Sequence, residues 1–183
     1  LGICFGRLCF FWRFLHWKGM IFKHRGLACM AALVPQNARL ADIGTDHGKL
    51  PISLLLDGHI ASAIGSDIRS GPLAHAERNA KEHNVSLSLR LAPGLEAVRA
   101  EECDTVTIAG MGGQTIAEIL TAAPWTGRGD HLLLLQPMTM MPSCAGGCTR
   151  TATPSSVKRC AVRTDGVTSF SAYAAVHRKR AKI

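Results

Sequence analysis

Residues 40–53 read LADIGTDHGKLPIS, and this stretch decides the predicted fold. An apolar segment leads into an acidic turn that contains glycine, and the turn opens directly into a second apolar segment. Glycine lets a backbone turn tightly and approach a ligand, and the first N–H groups of a helix point at whatever lies in front of it. The pattern therefore predicts a β-strand, a ligand-binding loop and an α-helix.

The loop lacks the G-x-G-x-x-G spacing of dinucleotide-binding proteins, because Thr45, Asp46 and His47 separate Gly44 from Gly48. Two carboxylates in this stretch would also repel a pyrophosphate. They suit a cationic ligand that carries an amine and hydroxyls, and S-adenosylmethionine is such a ligand. The alternative is an ordinary corner between a strand and a helix, in which Thr45 or Asp46 caps the helix.

A second apolar strand, IASAIGSDI, ends at Asp67, where a carboxylate could accept both ribose hydroxyls of an adenosine. Asp67 follows Asp42 by 25 residues, close to the spacing of a strand–helix–strand unit. The alternative for Asp67 is a solvated acidic residue with no ligand. The next helix is expected to start at Ser70-Gly71-Pro72, with Ser70 as its cap, and to end near Asn84. Its predicted buried stripe is Leu73, Ala76 and Ala80.

The alternation of strands and helices continues to residue 137 and predicts an α/β fold with a parallel sheet. A short strand LSLRLA leads to the turn Pro93-Gly94-Leu95 and a helix EAVRAEE, and the strand DTVTIAG leads to Gly110-Met111-Gly112-Gly113. After the helix QTIAEILTAA, the run HLLLLQP is expected to be a central strand buried on both faces. Glycines after a strand leave the backbone bare where such sheets bind ligands. The alternative is a flexible turn, with Met111 as core filler.

Four of these segments together resemble the bacterial tRNA (adenine(22)-N1)-methyltransferases, which are class I S-adenosylmethionine enzymes. The segments are LADIGTDHGKLPI, SGPLAHAERN, DTVTIAGMGG and LLLQPM, and the resemblance covers about residues 26–140. It implies a Rossmann-like class I methyltransferase core, S-adenosyl-L-methionine as cofactor and tRNA as partner. It also implies methyl transfer to N1 of an adenine.

The same resemblance implies which residues form the site. Asp42, Gly44 and the three residues that follow would line the methionine side of the cofactor, and Asp67 would hold its ribose. Gln136 and Pro137 would bind the substrate by flanking the target base, together with the glycine turn. The complete implied cofactor set is Asp42, Gly44, Thr45, Asp46, His47, Asp67, Ile68, Gly94, Leu95, Gly110, Met111 and Gly112.

One turn departs from the family pattern. Family members usually carry Gly-Asp-Gly-Leu after the third strand, and this aspartate would accept the adenine amino group. Here the turn is Ala92-Pro93-Gly94-Leu95, and proline offers neither that acceptor nor a backbone N–H. The loss of one charge-assisted hydrogen bond should weaken adenine recognition by about 1.5–3 kcal/mol.

No catalytic acid or base is assigned, because adenine N1 carries its own lone pair and needs no deprotonation before attack. The enzyme has to place N1 in line with the methyl group and to supply acceptors that tolerate a cationic ring. Gln136, Asp46 and backbone carbonyls near Met111 are the candidates. A serine-hydrolase triad is excluded, because no nucleophile elbow is present.

The charge of the chain is concentrated at its ends. The net charge of +8 over 183 residues is typical of a nucleic-acid binder, yet residues 38–141 hold eight Lys and Arg against twelve acids. Basic flanks could recruit RNA. We expect three units: a non-native leader at 1–23, an S-adenosylmethionine-binding domain at 24–141 and an out-of-frame or disordered basic tail at 142–183. Residues 24–35 are expected to form a short helix before the first strand.

Hydrophobic periodicity stops after Met141. A reading frame shifted by one base from Pro142 onward would encode an amphipathic helix, a glycine stop, a strand and a hairpin-like turn. A frameshift near residues 138–143 therefore predicts a Rossmann-like core that is incomplete at its C-terminal end. The alternatives are a genuine disordered basic tail, a non-catalytic truncated methyltransferase fragment, and a methyltransferase for another substrate.

The remaining patterns indicate neither a metal nor a membrane site. Cys144, Cys148 and Cys160 lack the paired half-site of a zinc motif. Cys29 and Cys103 fall at positions expected to be buried in an intracellular fold. The apolar N-terminal run is too interrupted by basic residues to span a membrane. A cytoplasmic enzyme is therefore expected.

Overall fold

The structure, a computed structural model, describes residues 25–128 and 131–139 and the backbone of two later strands, 157–162 and 170–176. Strands and helices alternate through the first five strands, as predicted, except between β3 and β4, where only a short 3₁₀ turn lies. The helices are α1 (Arg25–Leu33), α2 (Lys49–Leu56), α3 (Ser70–Glu82) and α4 (Gly113–Ala122). The strands are β1 (Ala38–Ile43), β2 (Ile60–Asp67), β3 (Ser88–Leu91), β4 (Thr105–Met111), β5 (Leu132–Pro137), β6 (Val157–Val162) and β7 (Phe170–Val176).

The described strands form a single sheet in the order β3-β2-β1-β4-β5-β7-β6. β1 to β5 are parallel, so their carboxyl ends lie along one edge of the sheet. β7 is antiparallel to β5, and β6 is antiparallel to β7. The chain moves outward from β1 to β3 and then returns to β4 on the other side of β1. A ligand crevice forms at such a switch point in an open α/β sheet.

Apolar side chains cover both faces of the parallel part of this sheet, β1 to β5. β5 shows why, because Leu133 and Leu135 pack into one core cluster whereas Leu134 packs into the other. Successive side chains of a strand point to opposite faces, so an unbroken run of leucines is buried on both. The first cluster also holds Ile116 of α4, and the second holds Met30 of α1. The prediction of a central strand at HLLLLQP is confirmed.

Several local predictions are confirmed, and the predicted cap of α3 is wrong. α1 lies within the predicted 24–35, and Leu73, Ala76 and Ala80 are the buried residues of α3. Ser70 is not the cap of α3, since Arg69 occupies that position and the Asp67 carboxylate accepts its N–H at 2.9 Å. Neither Thr45 nor Asp46 caps α2, which has Gly48 at its N-cap with no side-chain hydrogen bond.

The predicted helix at 96–102 is wrong except for a short 3₁₀ turn at Ala100–Glu102. Glu102 explains the difference, because its carboxylate accepts two hydrogen bonds at 2.9 Å from the Arg90 guanidinium. It also accepts the backbone N–H of Arg99 at 2.9 Å. These three contacts fix the segment against β3, and they lower the pKa of Glu102, the bond from Arg90 most of all.

The region after Met141 contains two strands where none was predicted. β7 pairs with β5 from Leu132↔Val176 to Leu135↔Tyr173, and β6 pairs along β7. An unpaired edge on β5 would leave its backbone N–H and C=O groups without partners, and β7 supplies them. The predicted incomplete core is therefore extended at this edge by two antiparallel strands. The frameshift and the three-unit division stay predictions.

Other predictions fall outside the part of the chain that the structure describes. They concern the leader at 1–23 and the cysteines Cys144 and Cys148. Within the described part, no helix is long and apolar enough to cross a membrane. Cys103 is buried as predicted, whereas Cys29 is only half-buried.

Candidate active site

Backbone hydrogen bonds connect the loop after β1 to the end of β2. The N–H groups of Gly44 and Thr45 both donate to the Ser66 carbonyl, at 2.8 and 3.1 Å. Gly44 has φ +71°, a left-handed conformation that favours glycine. A Cβ added to Gly44 would also overlap the Met111 Cε atom. The backbone conformation therefore favours glycine at this position, and an added Cβ would also require the end of the Met111 side chain to move.

Asp42 lies beneath this loop and is 6% exposed. Burial raises its pKa from 3.8 to about 6, and a hydrogen bond from Thr107 opposes the rise. Thr45 also opposes it, although its buried hydroxyl makes no hydrogen bond of good geometry to a described residue. A buried carboxyl group and a buried hydroxyl with unused capacity both suit a polar, cationic ligand.

Asp67 stands at the end of β2, as predicted, and joins two loops. Its Oδ1 accepts the N–H of Arg69 at 2.9 Å, and its Oδ2 accepts the N–H of Asp46 at 3.4 Å. The Arg69 guanidinium lies 3.8 Å from Oδ1 and is largely exposed. Each carboxylate oxygen can accept two hydrogen bonds, so each retains one acceptor position for a ligand hydroxyl.

The 92–95 turn lies beside the end of β2. Ser66 Oγ is 3.3 Å from the Gly94 carbonyl oxygen and 3.4 Å from that of Ala92, and its single O–H is shared between them. The Ala92 N–H donates to the Asp67 carbonyl at 3.1 Å. Leu95 is a core residue, so any ligand contact by Leu95 would come from its backbone. The turn that departs from the family pattern is thus next to the candidate ribose acceptor.

Two large apolar side chains are exposed where β2 and β3 end. Ile68 is 67% exposed and Leu91 is 62% exposed. Ile68 was predicted as a cofactor residue, whereas Leu91 was not. Exposed apolar side chains next to a crevice can pack against the flat faces of an aromatic ring.

His47, in the loop after β1, contacts α3. The side-chain amide of Asn79 donates to the His47 carbonyl at 2.9 Å, and the His47 and His75 ring centroids are 4.8 Å apart. The His47 Nε2 atom lies 3.6 Å from Asp46 Oδ1. Sequence reasoning missed Asn79 and His75. Their only sequence signal is a spacing of four along one helix face.

The glycine turn after β4 lies against the segment that follows β5. Ala109 pairs with Gln136 and Met111 with Pro137, and the register shifts between Ala109 and Met111. Gln136 is buried and Pro137 half-buried. The predicted neighbours of the target base are therefore adjacent strand ends. Gly110 (φ +72°), which lies at the register shift, is exposed.

Taken together, the loop after β1, the carboxylate after β2 and the glycine turn after β4 lie at one switch point of the sheet. Comparison with known families agrees: the model described as a methyltransferase domain matches residues 23–144. The chain belongs to this methyltransferase family.

Individual members of the methyltransferase family are similar to the chain over its core. It is 40% identical over 113 residues to the Bacillus subtilis tRNA (adenine(22)-N(1))-methyltransferase. That match covers 61% of this chain and 48% of the relative, so the chain spans about half the length of the curated relative. The family resemblance predicted from the sequence is confirmed.

Solved methyltransferase structures extend the similarity to the fold. The crystal structure of the B. subtilis M1A22 tRNA methyltransferase matches with a TM-score of 0.71 and 30% identity, over 86% of this chain and 68% of that one. A putative tRNA (m1A22) methyltransferase from Streptococcus pneumoniae, in complex with S-adenosyl-L-methionine, matches with a TM-score of 0.66 and 30% identity. That match covers 88% of this chain and 76% of the other. The predicted Rossmann-like methyltransferase fold is confirmed.

Proposed function

We propose that this chain is an S-adenosylmethionine-dependent methyltransferase that modifies N1 of an adenine in tRNA, at position 22. The observation that carries the proposal is the placement of two buried carboxyl groups, Asp42 and Asp67, on neighbouring strands under one glycine loop. Relatives of the same fold bear that activity in their names. A tRNA-modifying activity implies a cytoplasmic location.

The residues present fit the cofactor. Asp42 and the Thr45 hydroxyl supply a buried carboxyl group and an unused hydroxyl on the methionine side. Asp67 keeps one free acceptor position on each oxygen for the two ribose hydroxyls. Ile68 and Leu91 offer apolar contacts to the adenine ring. Pro93 offers no acceptor to the adenine amino group, so the adenine is expected to be the most weakly bound part of the cofactor.

The chemistry asks the chain to position groups and to tolerate charge. When bound, the cofactor supplies an electrophilic methyl group on a sulfonium centre. The N1 lone pair of the substrate adenine would form the new bond to the methyl group as the methyl–sulfur bond breaks and S-adenosylhomocysteine leaves, so the protein removes no proton before attack. Its ring becomes cationic, and Gln136, Asp46 and the carbonyls of the glycine turn are the acceptors that stabilise it. The Gln136–Pro137 segment and the glycine turn hold the base between them.

The proposed RNA partner fits the distribution of charge. The core at 38–141 has more acidic than basic residues, whereas residues 142–183 hold eight Lys and Arg against one acid. Basic residues outside the core would therefore supply most of the attraction to phosphate, and tRNA affinity should fall steeply as salt is raised.

Two measurements on the full chain test the proposal. Calorimetry should detect binding of S-adenosylmethionine and of S-adenosylhomocysteine. Labelled methyl groups should be transferred to a tRNA transcript with adenine at position 22 and not to a matched transcript with guanine there. Equal transfer to both transcripts would point to another substrate. Cofactor binding without any transfer would support the non-catalytic fragment, and absence of cofactor binding would overturn the proposal.

A further inference from the structure

Helix α4 is capped by a residue from a distant segment. Its N-cap is Gly112, which has no side chain to accept the free N–H groups of the first turn. The Thr139 hydroxyl accepts the N–H of Gly113 instead, at 3.0 Å and from 26 residues further along the chain. Thr139 is exposed and follows the Gln136–Pro137 segment. The hydrogen bond therefore joins the two segments that are expected to flank the target base.

A second hydrogen bond crosses the same gap. The Met138 N–H donates to the Met111 carbonyl at 2.8 Å. The two bonds hold the glycine turn at Met111 and at Gly113, beyond the last ladder pair, Met111↔Pro137. Gly110 lies in the irregular part of that ladder, so ordinary strand pairing does not fix the turn there.

The position of the turn matters because Met111 reaches the loop after β1. The Met111 Cε atom lies directly against Gly44. A shift of the turn would therefore move Met111 over Gly44 and would change the gap between the turn and Gln136. Methyl transfer requires close alignment of donor and acceptor, so a small shift there costs more in rate than in affinity.

Resting on the proposed function, we propose that Thr139 is a positioning residue for methyl transfer. Its hydroxyl sets the separation between the Gly110–Gly113 turn and the Gln136–Pro137 segment, and this separation holds the target adenine in line with the methyl group. A purely structural cap would behave differently, because its loss would lower thermal stability and leave the turnover of folded enzyme unchanged.

The test compares Thr139→Val, which keeps the side-chain shape without the acceptor, with Thr139→Ser, which keeps the hydroxyl. Thr121→Val is the matched control. Thr121 is an exposed threonine of α4 whose hydroxyl donates to the Ala117 carbonyl at 2.7 Å, within the helix. For each protein, kcat and KM for tRNA, the dissociation constant of S-adenosylhomocysteine and the melting temperature are measured.

We expect Thr139→Val to lower kcat by about 10- to 100-fold, with a cofactor dissociation constant within about threefold of the parent. Thr139→Ser should restore kcat, and Thr121→Val should match the parent. Parental kcat in Thr139→Val, or a loss explained wholly by cofactor affinity or unfolding, overturns this inference alone. A parent that binds no cofactor or methylates no tRNA overturns the proposed function, and this inference with it.

Discussion

The Thr107 hydroxyl donates a hydrogen bond of 2.6 Å to Asp42 Oδ1 across the β1–β4 pair. The two residues stand opposite each other in the register of these strands. Burial raises the pKa of Asp42 to about 6, and this hydrogen bond is the largest effect that lowers it. An ionised Asp42 in the free protein is consequently costly, and its charge should be stabilised when a cationic ligand arrives.

The first prediction concerns the pH dependence of stability. The folded protein binds the Asp42 proton more tightly than the unfolded chain does, since the pKa rises from 3.8 to about 6. Its contribution to stability is therefore complete below pH 3.8 and is lost as pH rises through 6. Asp42→Asn removes this loss, of about 3 kcal/mol at 1.36 kcal/mol per pH unit.

Denaturant unfolding of the parent and Asp42→Asn, at pH 5 and pH 8 without ligand, measures the effect. The free energy of unfolding of Asp42→Asn, relative to that of the parent, should be higher at pH 8 than at pH 5. Thr107→Val should destabilise the parent more at pH 8 than at pH 5, because it removes the donor to the ionised form. Equal differences at both pH values would show that Asp42 titrates normally.

The second prediction concerns Asp67. Asp67→Ala should weaken S-adenosylmethionine binding by about 1.5–3 kcal/mol, because a carboxylate that accepts two hydroxyls in a partly closed site is not replaced by water. Glu82→Ala, which removes an exposed carboxylate at the end of α3, is the control for net charge. Calorimetry that found equal affinities in both variants would assign Asp67 a structural role only, through its bonds to Asp46 and Arg69.

The third prediction concerns the turn that departs from the family pattern. Pro93 is exposed, and Pro93→Asp should tighten binding of S-adenosylmethionine by about 1.5–3 kcal/mol through a new acceptor for the adenine amino group. Binding of a methionine fragment should not change, because the fragment lacks that group. A gain for neither ligand would mean that the family's adenine contact lies elsewhere.

The fourth prediction separates two reasons for glycine at position 44. Gly44→Ala should cost about 1–2 kcal/mol of folding free energy for the left-handed backbone, plus the cost of overlap with Met111. Gly58 is the matched control, since it has φ +61° and nothing within 4 Å of an added Cβ. Gly58→Ala should therefore show the backbone cost alone.

Adding Met111→Ala to Gly44→Ala removes the overlap and keeps the backbone cost. In that background Gly44→Ala should cost about as much as Gly58→Ala, within ~0.5 kcal/mol. Chemical denaturation of the four proteins completes the cycle. A penalty for Gly44→Ala that does not depend on Met111 would show that the end of the Met111 side chain moves away at little cost.

Local patterns predicted the elements that depend on local physics. The leucine run of β5, the buried stripe of α3 and the loop after β1 could be predicted because the residues that define each of them are close together in the sequence. The bonds from Thr107 to Asp42 and from Thr139 to Gly113 could not be predicted, because each depends on a register between distant segments. The helix expected at 96–102 does not form for a similar reason, because Arg90, which lies outside that segment, binds the Glu102 carboxylate.

The later strands show a different limit. Four of the seven residues of β7, FSAYAAV, are Ser or Ala, so its apolar alternation is weak, and its pairing partner is the edge of β5. Backbone groups pair regardless of side chain, so such a strand leaves little trace in composition. Hydrophobic periodicity marks a buried face of a strand, whereas pairing along a strand edge depends on backbone groups that every residue carries.

Ser66 holds its two neighbouring loops by chemically separate means. Its carbonyl accepts the N–H groups of Gly44 and Thr45, whereas its single O–H is shared between the carbonyls of Ala92 and Gly94. Any residue at position 66 keeps the carbonyl, but only a hydroxyl-bearing one keeps the second set of bonds. The 92–95 turn, which is proposed to contact the adenine, can therefore diverge in sequence while the loop after β1 keeps its backbone bonds to position 66.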